Sequence, residues 1–584
     1  MDYLFEAAVE ELAGLAGAGL PFLLGWLILS GLDDLVLLGA YLLACPAGRA
    51  PTREQLDSVP RKLIAVFVPC WHEDAVIAAM LRHNLGASRY ADYRFFVGVY
   101  PNDPATAAAV EAVAAEDSRV VAAVCPRPGP TSKADCMNAI YGRMEQYERA
   151  HGLRFEMMVV HDAEDLIHPD EFEWLNYWAE TYAMIQLPVL ALPTPWHEIT
   201  HGIYCDDFAQ FHTIELAARV KLGGFLPSAG VGTAYRREAL ERIMREDGLL
   251  FDPGSLTEDY ENGLRLARMG ARQMFLPITW ADDVPVATRE FFPRRFQAAM
   301  RQRTRWTTGI AMQAWERHGW GKGWERYWFW RDRKGLLGHP LSLVATAVAA
   351  FSALMWATGR AGLPEHPFLN VTAAFGLGQM SMRAVCCGRI YGWRFAAMVP
   401  VRLLAGHVLN TFAVAKAVAD FGRARFRGVA VAWRKTDHDY PEFAALAGHR
   451  RKLGEILVGM GYLRVETVEQ AMAAKPGNVR LGRFLVDNGK LTEMQLYEGL
   501  ARQAAVPLGT QGIGPRLTAP VFPVRVIRGR KVVPLAVEKG SIIVATSELP
   551  DEGVRRELKD WTRMPLRFRL VTPGEFEKLC EEVL

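Results

Sequence analysis

The chain has 584 residues, enough for several domains with large cores, and a formal net charge of +2, which gives no sign of a nucleic-acid partner. Its eight cysteines are scattered without a Cys-x-x-Cys pair, so they read as reduced structural thiols, with the adjacent Cys386 and Cys387 packing at a membrane edge. Hydrophobic residues reach 50%, and they are unevenly spread.

The first apolar stretch, Leu12 to Cys45, has no Lys or Arg and only two acids, Asp33 and Asp34. It approaches the roughly 20 apolar residues of a spanning helix and makes residues 1–50 an N-terminal transmembrane segment. The acidic start (Asp2, Glu6, Glu10, Glu11) is unlike the basic start of a cleaved signal peptide. The first basic residues, Arg49, Arg53, Arg61 and Lys62, all follow the stretch, so the N-terminus is expected outside and residue 50 onward in the cytoplasm. Asp33 and Asp34 either face a bundle interior or water-filled path, or sit at an interface where the span ends near Ser30.

From Arg61 the pattern alternates between short apolar runs and helical stretches. Strands are expected at Lys62–Pro69, Tyr93–Tyr100, Arg119–Cys125 and Met157–Val160, with helices at Ala75–Leu85, Ala105–Ala115 and Ala134–His151. This alternation predicts an α/β domain on a doubly wound parallel sheet over residues 60–330. Parallel strands bring their carboxyl ends to one edge, where such sheets bind ligands. That edge would gather Trp71-His72-Glu73, Asn102-Asp103 and the cluster Asp162, Glu164 and Asp165. The cluster suits a hard divalent cation shared with phosphate oxygens, or serves only as an acidic cap on the next helix. Lys133 and Asn138 stand at a helix start that suits a phosphate.

Further on come a Gly-rich loop, Phe225–Arg236, and the segment Ser255–Asn262 with Thr257, Glu258 and Asp259. The arginine-rich and aromatic segment Glu290–Trp315, containing Gln302, Arg305 and Trp306, suits a helix lying on the membrane surface. Gly335–Thr358 and Pro367–Met382 read as a transmembrane hairpin, with basic residues before and after it. Phe395–Phe421, interrupted by Arg402, His407, Asn410 and Lys416, reads as interfacial or buried beside the bundle, so residues 335–430 are expected to hold a transmembrane hairpin and an interfacial helix.

The C-terminal part, taken as residues 440–584, contains a direct repeat offset by 28 positions: Lys452-Leu453-Gly454 matches Arg480-Leu481-Gly482, and Gly461 matches Gly489. Two copies are too few for a solenoid and fit a two-fold ligand site or two similar helical hairpins. Beyond Val521 the pattern mixes helices with short strands such as Ser541–Thr546.

Residues 60 to 330 resemble the processive, membrane-embedded family-two inverting glycosyltransferases. The resemblance implies a GT-A-type fold, a nucleotide-sugar donor and Mg²⁺ or Mn²⁺. It implies nucleotide contacts from Glu73 and Asp103, and donor contacts from Lys133 and Asp162. Asp162 and Glu164, or the adjacent Asp165, would hold the metal. Asp259 in Thr-Glu-Asp, with Glu258 beside it, would be the base, and Gln302, Arg305 and Trp306 would bind the diphosphate. The chemistry needs these types: a sugar hydroxyl must lose a proton as it attacks, and the departing diphosphate gathers charge. Donor choice would rest on Trp71, Phe225 and the Gly230 loop.

The C-terminal repeat resembles the cyclic di-GMP-binding domain of type II secretion and pilus ATPases. That resemblance assigns ligand contacts to Arg480, Leu481, Gly482, Leu485, Gly489, Leu491, Leu496, Leu500 and Gln503, and in the first copy to Lys452, Leu453, Gly454 and Gly461. The first copy departs, with Lys for Arg at 452, Tyr462 at an aliphatic position and Lys475 for Gln, which implies weaker binding there. No Gly-x4-Gly-Lys-Ser/Thr loop follows, so the chain lacks the ATPase itself. A glycosyltransferase joined to this α+β regulatory domain resembles the phage N4 adsorption protein B-like family. The implied function is polymerisation and export of an exopolysaccharide from a UDP-sugar such as UDP-N-acetylmannosamine. Cyclic di-GMP would activate it at the inner membrane, and an outer-membrane partner like phage N4 adsorption protein A would serve export. The alternatives are a non-catalytic cyclic di-GMP-sensing receptor or scaffold, and transfer of one sugar to polyprenyl phosphate.

Overall fold

The expected strand–helix alternation is realised almost residue for residue in the computed structural model. It describes residues 2–44, 51–281, 284–359, 366–429, 451–504, 506–511, 513–514, 517, 521–538, 540–549 and 552–584. Cys45, Arg49 and the junction 430–450, on which parts of the sequence reading rest, lie outside the described residues. Helix α1 (Asp2–Ala44) leads into β1 (Ile64–Pro69), α2 (Ile77–Ala87), β2 (Tyr93–Val99), α3 (Pro104–Glu116), β3 (Val120–Val124), α4 (Lys133–His151) and β4 (Met157–Val160). The chain divides into two compact units. One is Met1–Glu73, Asp92–Asp165 and Glu173–Asp439; the other is Asp74–Ala91, Leu166–Phe172 and Tyr440–Leu584.

In the first unit the strands β5 (Met184–Gln186), β6 (Val189–Ala191), β7 (Thr233–Arg236) and β8 (Gln273–Phe275) follow. Seven of the strands form a sheet in the order β3-β2-β1-β4-β7-β5-β8. β1 is apolar along its length and buried because it lies between β2 and β4, both parallel to it. The chain winds outward from β1 to β3 and then returns to β4, so the carboxyl ends of β1 and β4 flank the point where strand order reverses. The all-parallel expectation is corrected at β7, which runs antiparallel to both β4 and β5. Its four residues, Thr233–Arg236, are too short and too polar to have stood out as a strand. β6 pairs in parallel with β9 (Thr288–Glu290), outside the main sheet.

Helices α5 (Ile199–Gln210), α6 (Glu258–Arg268), α7 (Phe296–Trp306), α8 (Glu325–Arg333), α9 (Gly335–Ala357), α10 (Leu369–Tyr391) and α11 (Val399–Arg427) complete this unit. Among the described residues three helices are long and apolar enough to cross a membrane: Gly19–Leu43, Gly335–Ala357 and Val399–Arg427. By length and composition alone α11, read as interfacial or buried beside the bundle, is among them, and α10, the expected second arm of the hairpin, is not. The polar groups that interrupt α11 are met inside the protein. Arg402 is buried in a bidentate pair with Asp206 (2.7 and 2.8 Å), His407 meets Thr346 at 2.8 Å, and Asn410 accepts from Arg303 at 2.7 Å. Asp33 and Asp34 of α1 both bond Arg331 and Lys334, and Arg331 also bonds Glu215 at 2.9 Å. Asp33 is buried, as the bundle-interior reading has it, and both acids pair with cations at the end of α8.

The second unit carries two similar helical hairpins: α12 (Leu453–Gly459) with α13 (Val465–Ala474), and α14 (Leu481–Asp487) with α15 (Glu493–Ala504). A three-stranded sheet follows, β10 (Val532–Glu538) antiparallel to β11 (Ser541–Thr546) and β11 parallel to β12 (Leu566–Leu570). Its core includes Val533, Leu535, Val544, Phe568 and Phe576.

Candidate active site

Beyond the carboxyl ends of β1 and β4 lies a cleft, and the sequence motifs reach it from five directions. The loop after β1 supplies Trp71 and Glu73, the loop after β4 supplies Asp162 and Glu164, and the start of α4 supplies Ser132 and Lys133. Thr257, Glu258 and Asp259 enter at the start of α6, and Gln302, Arg305 and Trp306 from α7. The spacing of the last three explains the convergence, since positions i, i+3 and i+4 share one helix face. Trp306 is fixed edge-on to Tyr204, ring centroids 6.1 Å apart, and beside Phe208 at 6.2 Å. A π-helical turn, Thr307–Gln313, follows, and Gln313 accepts from the Leu256 N–H at 3.0 Å, so α7 braces the Thr257–Asp259 loop.

The arginines of α7 divide between its faces, with Arg301 exposed. Arg303 turns inward to Asp207 at 2.8 Å and Arg305 lines the cleft. The Arg305 Nε and Gln302 Oε1 atoms are buried without a hydrogen-bond partner among the described residues. Lys133 Nζ donates to Asp162 Oδ1 at 2.6 Å and to the Gly230 carbonyl at 3.2 Å. Burial opposes its charge, but Asp162 and Glu258 outweigh that and raise its pKa. Gly230 has φ +78°, and a Cβ there would lie 2.5 Å from Asp259 Oδ2. Glycine therefore serves both the turn and the close approach of the carboxylate.

Glu258 and Asp259 are adjacent carboxylates in the first turn of α6. Burial, then the charge of Asp259, pushes the Glu258 carboxyl up to about 7. Burial also raises Asp259, against the opposing charge of Lys133. The two titrate as a coupled pair.

Several expected residues are placed elsewhere. Asp103 caps α3: its Oδ1 accepts from the Thr106 N–H (3.3 Å) and its Oδ2 from the His72 N–H (2.7 Å), and it is not on the cleft wall. Burial would raise its carboxyl, but the hydrogen bonds from Thr106 and His72 hold it below the usual range. Its role is to shape the His72–Glu73 turn, where His72 has φ 55°. Asp165 turns away from the cleft to His161 Nδ1 (2.8 Å) and the Asp162 N–H (3.0 Å), which leaves Asp162 and Glu164 as the acids of this motif on the wall. Asn138 clamps the Phe251 backbone at 2.7 and 3.1 Å. Phe225 packs against Tyr260 and Phe329 under the Arg219 guanidinium, away from the cleft. Sequence reasoning missed Tyr100, Thr131, Cys136 and Glu290, all on the wall. Tyr100 follows a recognised strand and was within reach of the argument; Glu290 belongs to no motif.

Six carboxylates line the cleft (Glu73, Asp162, Glu164, Glu258, Asp259, Glu290) against two cations, Lys133 and Arg305. A diphosphate entering alone would be repelled, whereas one arriving with a divalent cation would be matched. Among the described residues no three His, Cys, Asp or Glu side chains form a metal cage.

In the second unit the repeat is structural as well as sequential. Gly454 lets α12 approach Val468, and Gly482 lets α14 approach Leu496, with a Cβ placed at 2.6 and 2.5 Å respectively. Gly461 (φ 76°) and Gly489 (φ 64°) make the same left-handed turn. Gln503 Nε2 donates to the carbonyl of Arg451, the residue before the first copy, at 2.9 Å. Lys475 Nζ donates to the carbonyl of Val479, the residue before the second copy, at 3.3 Å. The Gln-to-Lys departure thus keeps its contact. Lys452 and Arg480 occupy equivalent exposed positions at the starts of α12 and α14.

Residues 60–309 match the family described as "Glycosyltransferase like family 2", and residues 501–584 match the MshEN domain, a cyclic di-GMP-binding module. A mannosyltransferase from Pyrobaculum calidifontis, solved with GDP-Man and Mn²⁺, covers 68% of this chain and 99% of its own at 18% identity and TM-score 0.41. MshE solved "with cdg" covers 23% of this chain and 100% of its own at 23% identity and TM-score 0.21. The two family matches define a family-two glycosyltransferase domain followed by an MshEN domain. The chain is 31% identical to the bacteriophage N4 adsorption protein B of Escherichia coli over 98% of its length and 82% of that protein, and it belongs to that family.

Proposed function

We propose that this protein is an inverting glycosyltransferase of the bacterial inner membrane that polymerises an exopolysaccharide under activation by cyclic di-GMP. The donor is a UDP-sugar, with UDP-N-acetylmannosamine or a related UDP-N-acetylhexosamine the expected one. The supporting observation is the convergence of Lys133, Asp162, Glu164, Glu258, Asp259, Gln302, Arg305 and Trp306 on one acidic cleft. The same unit carries three helices long and apolar enough to cross a membrane.

In this reading the donor diphosphate lies against Lys133 and Arg305, the two cations on the cleft wall. Asp162 and Glu164 are the residues that would hold a divalent cation, which when bound neutralises charge gathering on the leaving diphosphate. Asp259 accepts the proton of the acceptor hydroxyl as its oxygen bonds the sugar C1 and the C1–O bond to the diphosphate breaks, the electron pair leaving with the diphosphate. Trp306 and Trp71 provide apolar walls for sugar and base. With an outward N-terminus, one span in α1 and a hairpin of α9 and α10 leave the transferase and MshEN domains in the cytoplasm, and an outer-membrane partner completes export. Sizing the product made from each UDP-sugar with Mg²⁺ or Mn²⁺ tests this. A ladder of long chains is expected, and a single sugar on polyprenyl phosphate would contradict it.

A further inference from the structure

The second unit holds, besides the MshEN domain, two pieces of the transferase sequence: Asp74–Ala91, which contains α2, and Leu166–Phe172, which begins immediately after Asp165. One side chain ties them together. The Arg89 guanidinium bonds Asp170 Oδ1 at 2.5 Å, while its Nε and second terminal nitrogen reach the two carboxylate oxygens of Glu455 at 3.2 and 3.4 Å. The Arg89 N–H also donates to the Pro169 carbonyl at 2.9 Å, and Asn84 Oδ1 accepts from the Ile167 N–H at 3.1 Å. Glu455 is the residue directly after Lys452-Leu453-Gly454 in the first repeat copy. Arg451, directly before that copy, donates to the Glu455 carbonyl at 2.9 Å and to the Ser88 carbonyl at 3.4 Å. Packing there is tight: a Cβ at Gly86 of α2 would lie 2.7 Å from the Arg502 carbonyl oxygen of α15.

We propose that Arg89 is a positioning residue that couples the first repeat copy to the acidic motif of the transferase, by holding Glu455 on one side and Asp170 on the other. Its planar fork carries donors on three nitrogens in fixed directions, so it holds Asp170 with one and both oxygens of Glu455 with the others, a geometry that the single nitrogen of a lysine does not reproduce. Asp170 lies five positions beyond Asp165 in a segment pinned at Ile167, Pro169 and Asp170. A shift of α12 on ligand binding therefore reaches the Asp162–Glu164 loop along a short, tethered stretch of chain. Two packed arrangements of that stretch suffice for control.

This inference rests on the proposed cyclic di-GMP control and deepens it. The test uses full-length protein in detergent and the variants Glu455→Gln and Arg89→Lys, neither at a ligand-contacting or cleft position. Three quantities are read: cyclic di-GMP affinity, fold-activation of sugar transfer, and amide hydrogen exchange across residues 160–172. Wild type is expected to show an activation of about 5- to 150-fold, the usual span of allosteric coupling, with altered exchange in that segment on adding the dinucleotide. Both variants should keep affinity and basal transfer within about twofold (under 1 kcal/mol) while losing the activation and the exchange response. Variants activated as wild type would overturn the proposal. Exchange changes in wild type without activation would leave the coupling standing and remove the proposed regulation. Absence of both in wild type, with the dinucleotide bound, would remove the coupling.

Discussion

Lys133 and Asp162 form an ion pair, Nζ to Oδ1 2.6 Å, in a cleft where carboxylates outnumber cations. The pair brings a cation from the start of α4 against the acid that follows β4, and the same ammonium opposes the charges of Glu258 and Asp259. Removing it takes away a charge that favours the ionised carboxylates. Lys133→Met should therefore raise the titration of the Glu258–Asp259 pair and move the acid limb of the pH–rate profile to higher pH by about a unit or more. In wild type, transfer should rise with pH through the Glu258 value of about 7. An acid limb that stays in place in the variant would show that Lys133 does not set the charge of this pair.

Asp259→Asn keeps the shape of the side chain and the hydrogen bond that its Oδ1 accepts from the Tyr260 N–H at 2.7 Å. It removes the proton acceptor. Transfer should fall by about 10²- to 10⁴-fold, the usual worth of general base catalysis, while calorimetry finds nucleotide affinity retained. Undiminished turnover would exclude Asp259 as the base.

The strands flanking the site were legible because β1 and β4 are unbroken apolar runs, and because their ends carry acids that a buried sheet would not tolerate elsewhere. The motif at Gln302–Trp306 was legible for a similar reason, since helical spacing fixes a shared face. Asp103 and Asp165 were misplaced because sequence gives the side-chain type but not its partner. Whether a carboxylate caps a helix, as Asp103 does for α3, or faces a ligand depends on a turn conformation set by His72 and Thr106. The burial of α11 was harder to read, because Arg402 and His407 look exposed in a sequence, yet Asp206 and Thr346 receive them.

Arg331 is buried among Asp33, Asp34 and Glu215. Truncating it leaves carboxylates whose remaining cation is Lys334 among the pairs described. Arg331→Ala should cost about 3–5 kcal/mol, the usual penalty for breaking a buried pair from one side, seen as a lower thermal midpoint in detergent. A midpoint equal to wild type would mean that the cluster relaxes without loss.

Arg480 stands exposed at the start of α14, where its guanidinium can reach a phosphate or guanine edge. A charge-assisted hydrogen bond is worth about 1.5–3 kcal/mol, so Arg480→Ala should weaken cyclic di-GMP binding by about tenfold or more by calorimetry. Lys452→Ala should weaken it less, as the first copy departs further from the motif. Unchanged binding in Arg480→Ala would place the ligand elsewhere.

The most direct test of the account is nucleotide release by the purified full-length protein, with Mg²⁺ or Mn²⁺, across a panel of UDP-sugars with and without cyclic di-GMP. The account predicts release from one N-acetylhexosamine donor, raised by the dinucleotide and absent in Asp259→Asn. Silence across the panel, with cyclic di-GMP bound and acceptor polysaccharide supplied, would contradict it and favour a non-catalytic receptor.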